Sequence, residues 1–292
     1  MNVRRVLISA VLCAGLVLIA CLGAGEALSR PASHPIGDPP PDLHAHSVRF
    51  STAAGEPVAG WFIRGTERHG AVLLLHGIRS DRRAMVERAR LLGGAGYSVL
   101  LIDLPAHGES GGARITFGLH EGAGVRAALG FLRGQLPGEP VGVIGVSLGA
   151  ASLVLSKATP PPDAVVLESM YPTIAEAVTD RLTQRLGPAG QAIAPLLLWQ
   201  LPLRLGITAD ELRPVDGMPS LHAPVLVMSG TVDQQTTLAE SRRIFEAAAA
   251  PKDFWAVEGA AHVDLFTHAP QAYASLVLPF LARHLHPPTQ PL

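Results

Sequence analysis

Six short, largely apolar runs recur along this chain and restrict its folding more than any other feature. They are Ala71–Leu75, Ser98–Ile102, Val141–Ile144, Ala164–Leu167, Val225–Met228 and Asp253–Val257. Their hydrophobicity is continuous rather than alternating, which predicts strands buried on both faces and therefore a mostly parallel sheet. Helical patterns lie between or after them, at about Arg82–Leu92, Phe117–Arg133, Leu148–Lys157, Leu238–Ala250 and Gln271–His284. Parallel neighbours need such crossovers, and the crossovers are right-handed. His46–Ser51 and Pro57–Ile63 are predicted as an antiparallel pair that opens the domain. The class expected is α/β, with a central sheet flanked by helices.

At 292 residues the chain is long enough for one large domain with a well-buried core. A formal charge of -1 and a charged fraction of 16% give no reason to expect nucleic acid as a partner. Both cysteines, Cys13 and Cys21, fall in an N-terminal apolar segment, so the remainder has neither disulfide nor thiol chemistry. That segment begins after Arg4-Arg5 and runs uncharged from Val6 to Ala24. As a helix it spans roughly 28 Å, close to a bilayer hydrocarbon core.

The segment fits three fates. An uncleaved signal anchor leaves Arg4 and Arg5 in the cytoplasm and the rest outside. Leu18-Ile19-Ala20-Cys21 resembles a lipobox, with Cys21 as the acylated residue. Cleavage after a small residue between Gly23 and Ala27 would release the rest. All three put the domain outside the cytoplasmic membrane. The organisation expected is an anchor or signal over 1–28, a proline-rich tether over 29–44 and a domain over 45–292. Within the domain, about 171–209 lacks a strand candidate but carries apolar helical runs, as a lid lining an apolar pocket would.

Between the predicted strand Val141–Ile144 and the helix from Leu148 stands Gly145-Val146-Ser147-Leu148-Gly149. Strand, G-x-S-x-G and helix make the nucleophile-elbow pattern, in which a sharp turn lifts the serine hydroxyl clear of the sheet. Serine needs a base, and the base an orienting acid. His262 follows the last strand and precedes the last helix, in Glu258-Gly259-Ala260-Ala261-His262. Asp233 follows the strand Val225–Met228 and is the first choice of acid; Glu168 and Asp264 are the rivals. The order Ser147, Asp233, His262 is nucleophile, acid, base. For the oxyanion, the backbone N–H groups of Leu148 and Ile78 are the expected donors, with Arg79 as neighbouring alternative.

On these residues the chain resembles the α/β hydrolases, in particular the serine aminopeptidase and monoacylglycerol-lipase-like branch and its membrane-anchored members. The matching pieces are His76-Gly77, Asp103 to Ser110, the elbow, Gly230 to Asp233 and Gly259 to His262. Ala106 departs from the glycine that the family usually carries before the His-Gly pair. Asp103 and His107 are expected to shape a turn. Gly93-Gly94-Ala95-Gly96 reads as a helix end rather than a phosphate loop, and no metal cluster is visible, so no cofactor is implied.

The resemblance implies acyl transfer to Ser147 and hydrolysis of lipid-like or acyl esters, with a small-molecule substrate and the membrane as partners. A peptidase or amidase on the same triad and a non-catalytic membrane-associated binding protein are the other readings.

Overall fold

The computed structural model describes residues 3–286, apart from the side chains of Arg5, Val6, Ala10 and Ala14. Met1, Asn2 and 287–292, at the two ends of the expected organisation, lie outside the described residues. Eight strands form one sheet: β1 (His46–Ser51), β2 (Pro57–Ile63), β3 (Ala71–Leu75), β4 (Ser98–Ile102), β5 (Val141–Val146), β6 (Ala164–Glu168), β7 (Val225–Gly230) and β8 (Lys252–Val257). Across the sheet they run β1-β2-β4-β3-β5-β6-β7-β8. β1 with β2 and β2 with β4 are antiparallel, and every other pair is parallel. Around the sheet lie α1 (Val3–Ser29), α2 (Val86–Gly94), α3 (Glu121–Gln135), α4 (Leu148–Ser156), α5 (Ile174–Leu186), α6 (Pro188–Leu198), α7 (Gln200–Leu205), α8 (Pro214–Gly217), α9 (Leu238–Ala247), α10 (Leu265–His268) and α11 (Pro270–Leu285). This is the α/β-hydrolase architecture that the elbow and strand pattern led us to expect.

Strand side chains alternate between the two faces, so a continuously apolar strand feeds two cores. Leu73, Leu75, Val143, Val165 and Val227 join Leu129 of α3, Leu153 of α4 and Ile244 of α9 on one side. Val72, Leu74, Ile144, Val166 and Leu226 join Leu92 of α2 and Val277 and Leu281 of α11 on the other. Each such side chain contributes about 1.5–3 kcal/mol by leaving water.

Two helix starts differ from the sequence reading. α3 begins at Glu121 rather than near Phe117, because the Glu121 carboxylate accepts from the N–H groups of Thr116 and Gly118. Those bonds stabilise a loop in which Phe117 has φ +55°. The run from Arg82 opens as a single 3-10 turn, Arg82–Met85, capped by Asp81, before α2.

The proline-rich stretch expected to be a tether is docked along the body. Ala32 and Ser33 pair in parallel with His107 and Gly108. The N–H groups of Ile36 and Gly37 donate to Glu109 Oε1 at 3.0 and 3.2 Å, and Leu43 is buried. Glu109 is itself held by Arg82 at 2.6 Å, which keeps its carboxyl at about 2. The ladder and these side-chain bonds replace water around the strap backbone, which a free linker would leave solvated.

Leu7–Ser29 of α1 is long and apolar enough to cross a membrane, with mean hydropathy 2.6. Its last turns pack on α6 and α7: Gln200 Nε2 donates to the Cys21 carbonyl at 3.0 Å, and Arg204 Nη2 to that of Leu22 at 2.7 Å.

Candidate active site

The turn at Ser147 is strained, with φ +50° and ψ -107°. Close approach makes both flanking glycines necessary. A Cβ on Gly145 would stand 2.6 Å from Ala150 N, and one on Gly149 would stand 2.5 Å from the Leu75 carbonyl oxygen. Any larger residue would push α4 off β3, and the turn would open. The Ser147 N–H donates to the Glu168 carbonyl at 2.8 Å, which ties the elbow to β6. Ser147 is 5% exposed.

The loops after β7 and β8 meet: a Cβ on Gly230 would collide with the Ala260 carbonyl, and Val232 N donates to that same oxygen at 3.0 Å. Their contact sets Asp233 beside His262, with Nδ1 2.8 Å from Oδ2. Thr236 Oγ1 donates to the same carboxylate oxygen at 2.8 Å, while Oδ1 accepts from the N–H groups of Gln235 and Thr236. Burial alone would raise the Asp233 carboxyl, but the bond from His262 and the backbone donors outweigh it and hold the carboxyl below its ordinary value. An ionised Asp233 can only accept, so Nδ1 of His262 carries a proton and Nε2 is the ring nitrogen turned away from the carboxylate. Among the described residues, neither Nε2 of His262 nor Oγ of Ser147 has a hydrogen-bond partner.

The rival acids are engaged elsewhere. Glu168 receives Arg88 through both oxygens, at 3.0 and 2.6 Å, and the Tyr273 hydroxyl at 2.6 Å. Asp264 accepts from Arg88 at 2.6 Å and caps α10 through Thr267 N. Arg88 thereby ties the segment just beyond His262 to β6, a role that no local pattern in the sequence announces. The pairing spans 80 residues on one side and 176 on the other.

Asp103 and His107 serve the turn, as expected. Asp103 accepts from Arg82 N at 2.8 Å and Arg82 Nη1 at 2.5 Å, and from Glu109 N at 2.8 Å. His107 Nε2 accepts from Arg79 N at 3.1 Å, and Leu104 N donates to His76 Nε2 at 3.0 Å. The opposite ring nitrogens therefore donate, to the carbonyls of Pro105 and Gly77. Burial lowers both imidazoles to about 4, and each stays neutral.

This arrangement bears on the two candidate oxyanion donors after β3. Arg79 N is spent on His107, whereas Ile78 N, like Leu148 N at the start of α4, has no acceptor among the described residues. Gly77 lies against the elbow: a Cβ there would stand 3.9 Å from that of Ser147.

Above this edge α5 brings Arg181, whose Nη1 donates to its own helix at Ala177 O. Burial pushes its guanidinium down, although Tyr171, Asp233, Asp180 and Glu240 draw it up. α5 to α7 and the end of α1 border an apolar cavity of about 50 Å³, lined by Leu28, Phe117, Ile174, Val178, Leu197 and Leu201 among others. Ser147 is not part of its lining.

The alpha/beta hydrolase family profile matches residues 72–276, from β3 into α11. The chain is 32% identical over 264 residues to the uncharacterized protein Rv2307c of Mycobacterium tuberculosis, covering 89% of this chain and 87% of that one. With the uncharacterized protein YqkD of Bacillus subtilis it shares 22% identity over 79% of this chain and 77% of the other. Its fold resembles that of the esterase Pf2001 of Pyrococcus furiosus, with TM-score 0.72, 23% identity and coverage of 88% and 98%. The esterase domain of a Rhodothermus marinus protein gives TM-score 0.59 at 23% identity, over 82% and 99%. With its sheet order, its elbow and this match over most of its length, the chain belongs to the alpha/beta hydrolase family.

Proposed function

We propose that the protein is a serine hydrolase that cleaves carboxylic esters through an acyl-enzyme. The observation that carries the reading is the His262–Asp233 bond, which leaves Nε2 unpartnered among the described residues at the sheet edge that also bears Ser147. In the first half-reaction Ser147 Oγ attacks the ester carbonyl as His262 Nε2 takes its proton. The negative charge on the former carbonyl oxygen falls to the N–H groups of Ile78 and Leu148, the second backed by the dipole of α4. The imidazolium, held by Asp233, then protonates the departing alkoxide. Water repeats the path, releasing the carboxylic acid and restoring the serine. The separate Ser147 and His262 of the free protein are drawn together by substrate, as such contacts tighten in the Michaelis complex.

Support for an ester of apolar acyl groups comes from the uncharged stretch Pro188–Leu203 of α6 and α7. We read α1 as a retained anchor, a single helix from Val3 to Ser29, with the body on the extracytoplasmic side because Arg4 and Arg5 precede its apolar run. Cleavage between Gly23 and Ala27 would remove the bonds of Cys21 and Leu22 to Gln200 and Arg204, whereas lipidation at Cys21 would keep them.

The test is hydrolysis of p-nitrophenyl esters of rising chain length set against an aminoacyl anilide, with fluorophosphonate labelling of Ser147. Ester turnover with labelling supports the proposal. Preferential cleavage of the anilide replaces it with a peptidase, and absence of both turnover and label replaces it with a binding protein.

A further inference from the structure

Helices in contact with water carry charge on their outer face. α5 does so, with Glu176 and Arg185. The next two helices do not. From Pro188 to Leu203 no residue is charged, through all of α6 and the first turn of α7. Much of this stretch is nevertheless uncovered: Leu196, Trp199 and Leu203, at helical spacing of three and four, are 38%, 60% and 68% exposed. Leu197 and Leu201 turn inward to the apolar cavity, and Gln200 and Arg204 occupy the flank between, bonded to α1.

The contact with α1 says what covers the exposed face. Gln200 reaches the carbonyl of Cys21 and Arg204 that of Leu22, and both residues belong to the uncharged run that ends at Ala24. At 1.5 Å rise per residue, Cys21 lies about 5 Å before the end of that run. The side chains flanking Gln200 therefore stand level with the last apolar turn of α1. The first charges come just beyond: Glu26, gripped by Arg30, Arg114 and Arg204. Apolar side chains with one tryptophan, then arginines, follow the order of groups in a leaflet, acyl chains and then phosphates.

We propose that α6 and α7 form a second membrane contact, with Leu196, Trp199 and Leu203 inserted among the lipids that surround the end of α1. Their occupant is a phospholipid leaflet. This rests on α1 being a retained anchor.

The full chain reconstituted in phosphatidylcholine–phosphatidylglycerol vesicles tests this directly. Flotation reports the anchor, and the fluorescence difference between the wild type and Trp199→Phe isolates Trp199 from Trp61 and Trp255. The expected result is flotation of both proteins and a Trp199 signal reduced about twofold by lipids brominated near the headgroup end of their chains. Aqueous iodide should leave that signal unchanged, and Leu196→Glu with Leu203→Glu should reverse both behaviours without loss of flotation. A floating protein whose Trp199 is quenched by iodide and not by bromolipid overturns the lid contact alone. A full chain that does not float overturns the anchor and the lid contact together.

Discussion

The His262 Nδ1–H donates to Asp233 Oδ2 across 2.8 Å, and the same oxygen accepts the Thr236 hydroxyl. The carboxylate is thus ionised, buried and spent on holding one imidazole in one tautomer. Glu168 and Asp264, by contrast, are both committed to Arg88.

That division predicts the ranking of active-site variants. Ser147→Ala and His262→Ala should each lower kcat by about 10⁶-fold, and Asp233→Asn by about 10⁴-fold, magnitudes seen in other triads. Glu168→Gln should cost less than Asp233→Asn. Initial rates on a soluble short-chain ester decide it, with circular dichroism to show that each variant is folded. A greater loss from the Glu168 change would transfer the acid's role to that residue.

Arg88→Leu should act on stability first. It leaves Glu168 buried beside Tyr273 without its cation, and removing one member of a buried pair costs about 3–5 kcal/mol. Urea unfolding of the wild type and variant should show a lower midpoint at unchanged slope. Equal midpoints would mean that the cluster relaxes or admits water.

Acid should weaken the fold through His76. Burial lowers its imidazole from 6.5 to about 4, so between those values the unfolded chain takes a proton that the folded chain refuses. Stability therefore falls as pH drops through this window, by roughly 3 kcal/mol for this one group. His76→Gln should lose less stability than the wild type between pH 7 and pH 4 in urea titrations. Parallel curves would contradict the assignment.

A second group works with the opposite sign. Burial and the neighbouring Glu240 carboxylate raise Asp180 from 3.8 to about 7, and its Oδ2 is buried without a donor. Here the folded chain keeps a proton that the unfolded chain has lost, so the penalty grows as pH rises from 4 to 7. Asp180→Asn should raise Tm at pH 8 and leave it nearly unchanged at pH 4. A uniform shift at both values would indicate a role independent of charge.

The sheet was legible because each strand is a continuous local pattern, and five residues carried the elbow. β1, β2, β3 and β4 fall at the residues expected, since each strand is bounded by a break in hydrophobicity. Nothing local marked the strap, whose partners are His107 to Glu109 and lie about 70 residues away. Nor did anything mark the task of His76 or the bond that His107 accepts from Arg79, which rest on backbone N–H groups that any residue type supplies. Asp233 and His262 stood out by their positions after strands, but the bond between them depends on two loops meeting at Gly230.

The strap has one more consequence. A slack linker lets a body wander over a hemisphere set by its contour length. Residues 32–37 have no slack, being hydrogen-bonded to the backbone of Ala106 and Gly108 and to Glu109. Height and heading of the body relative to α1 are fixed by those bonds, not by the number of residues in between. Lengthening the chain there would loosen a rigid joint and would not extend the protein's reach.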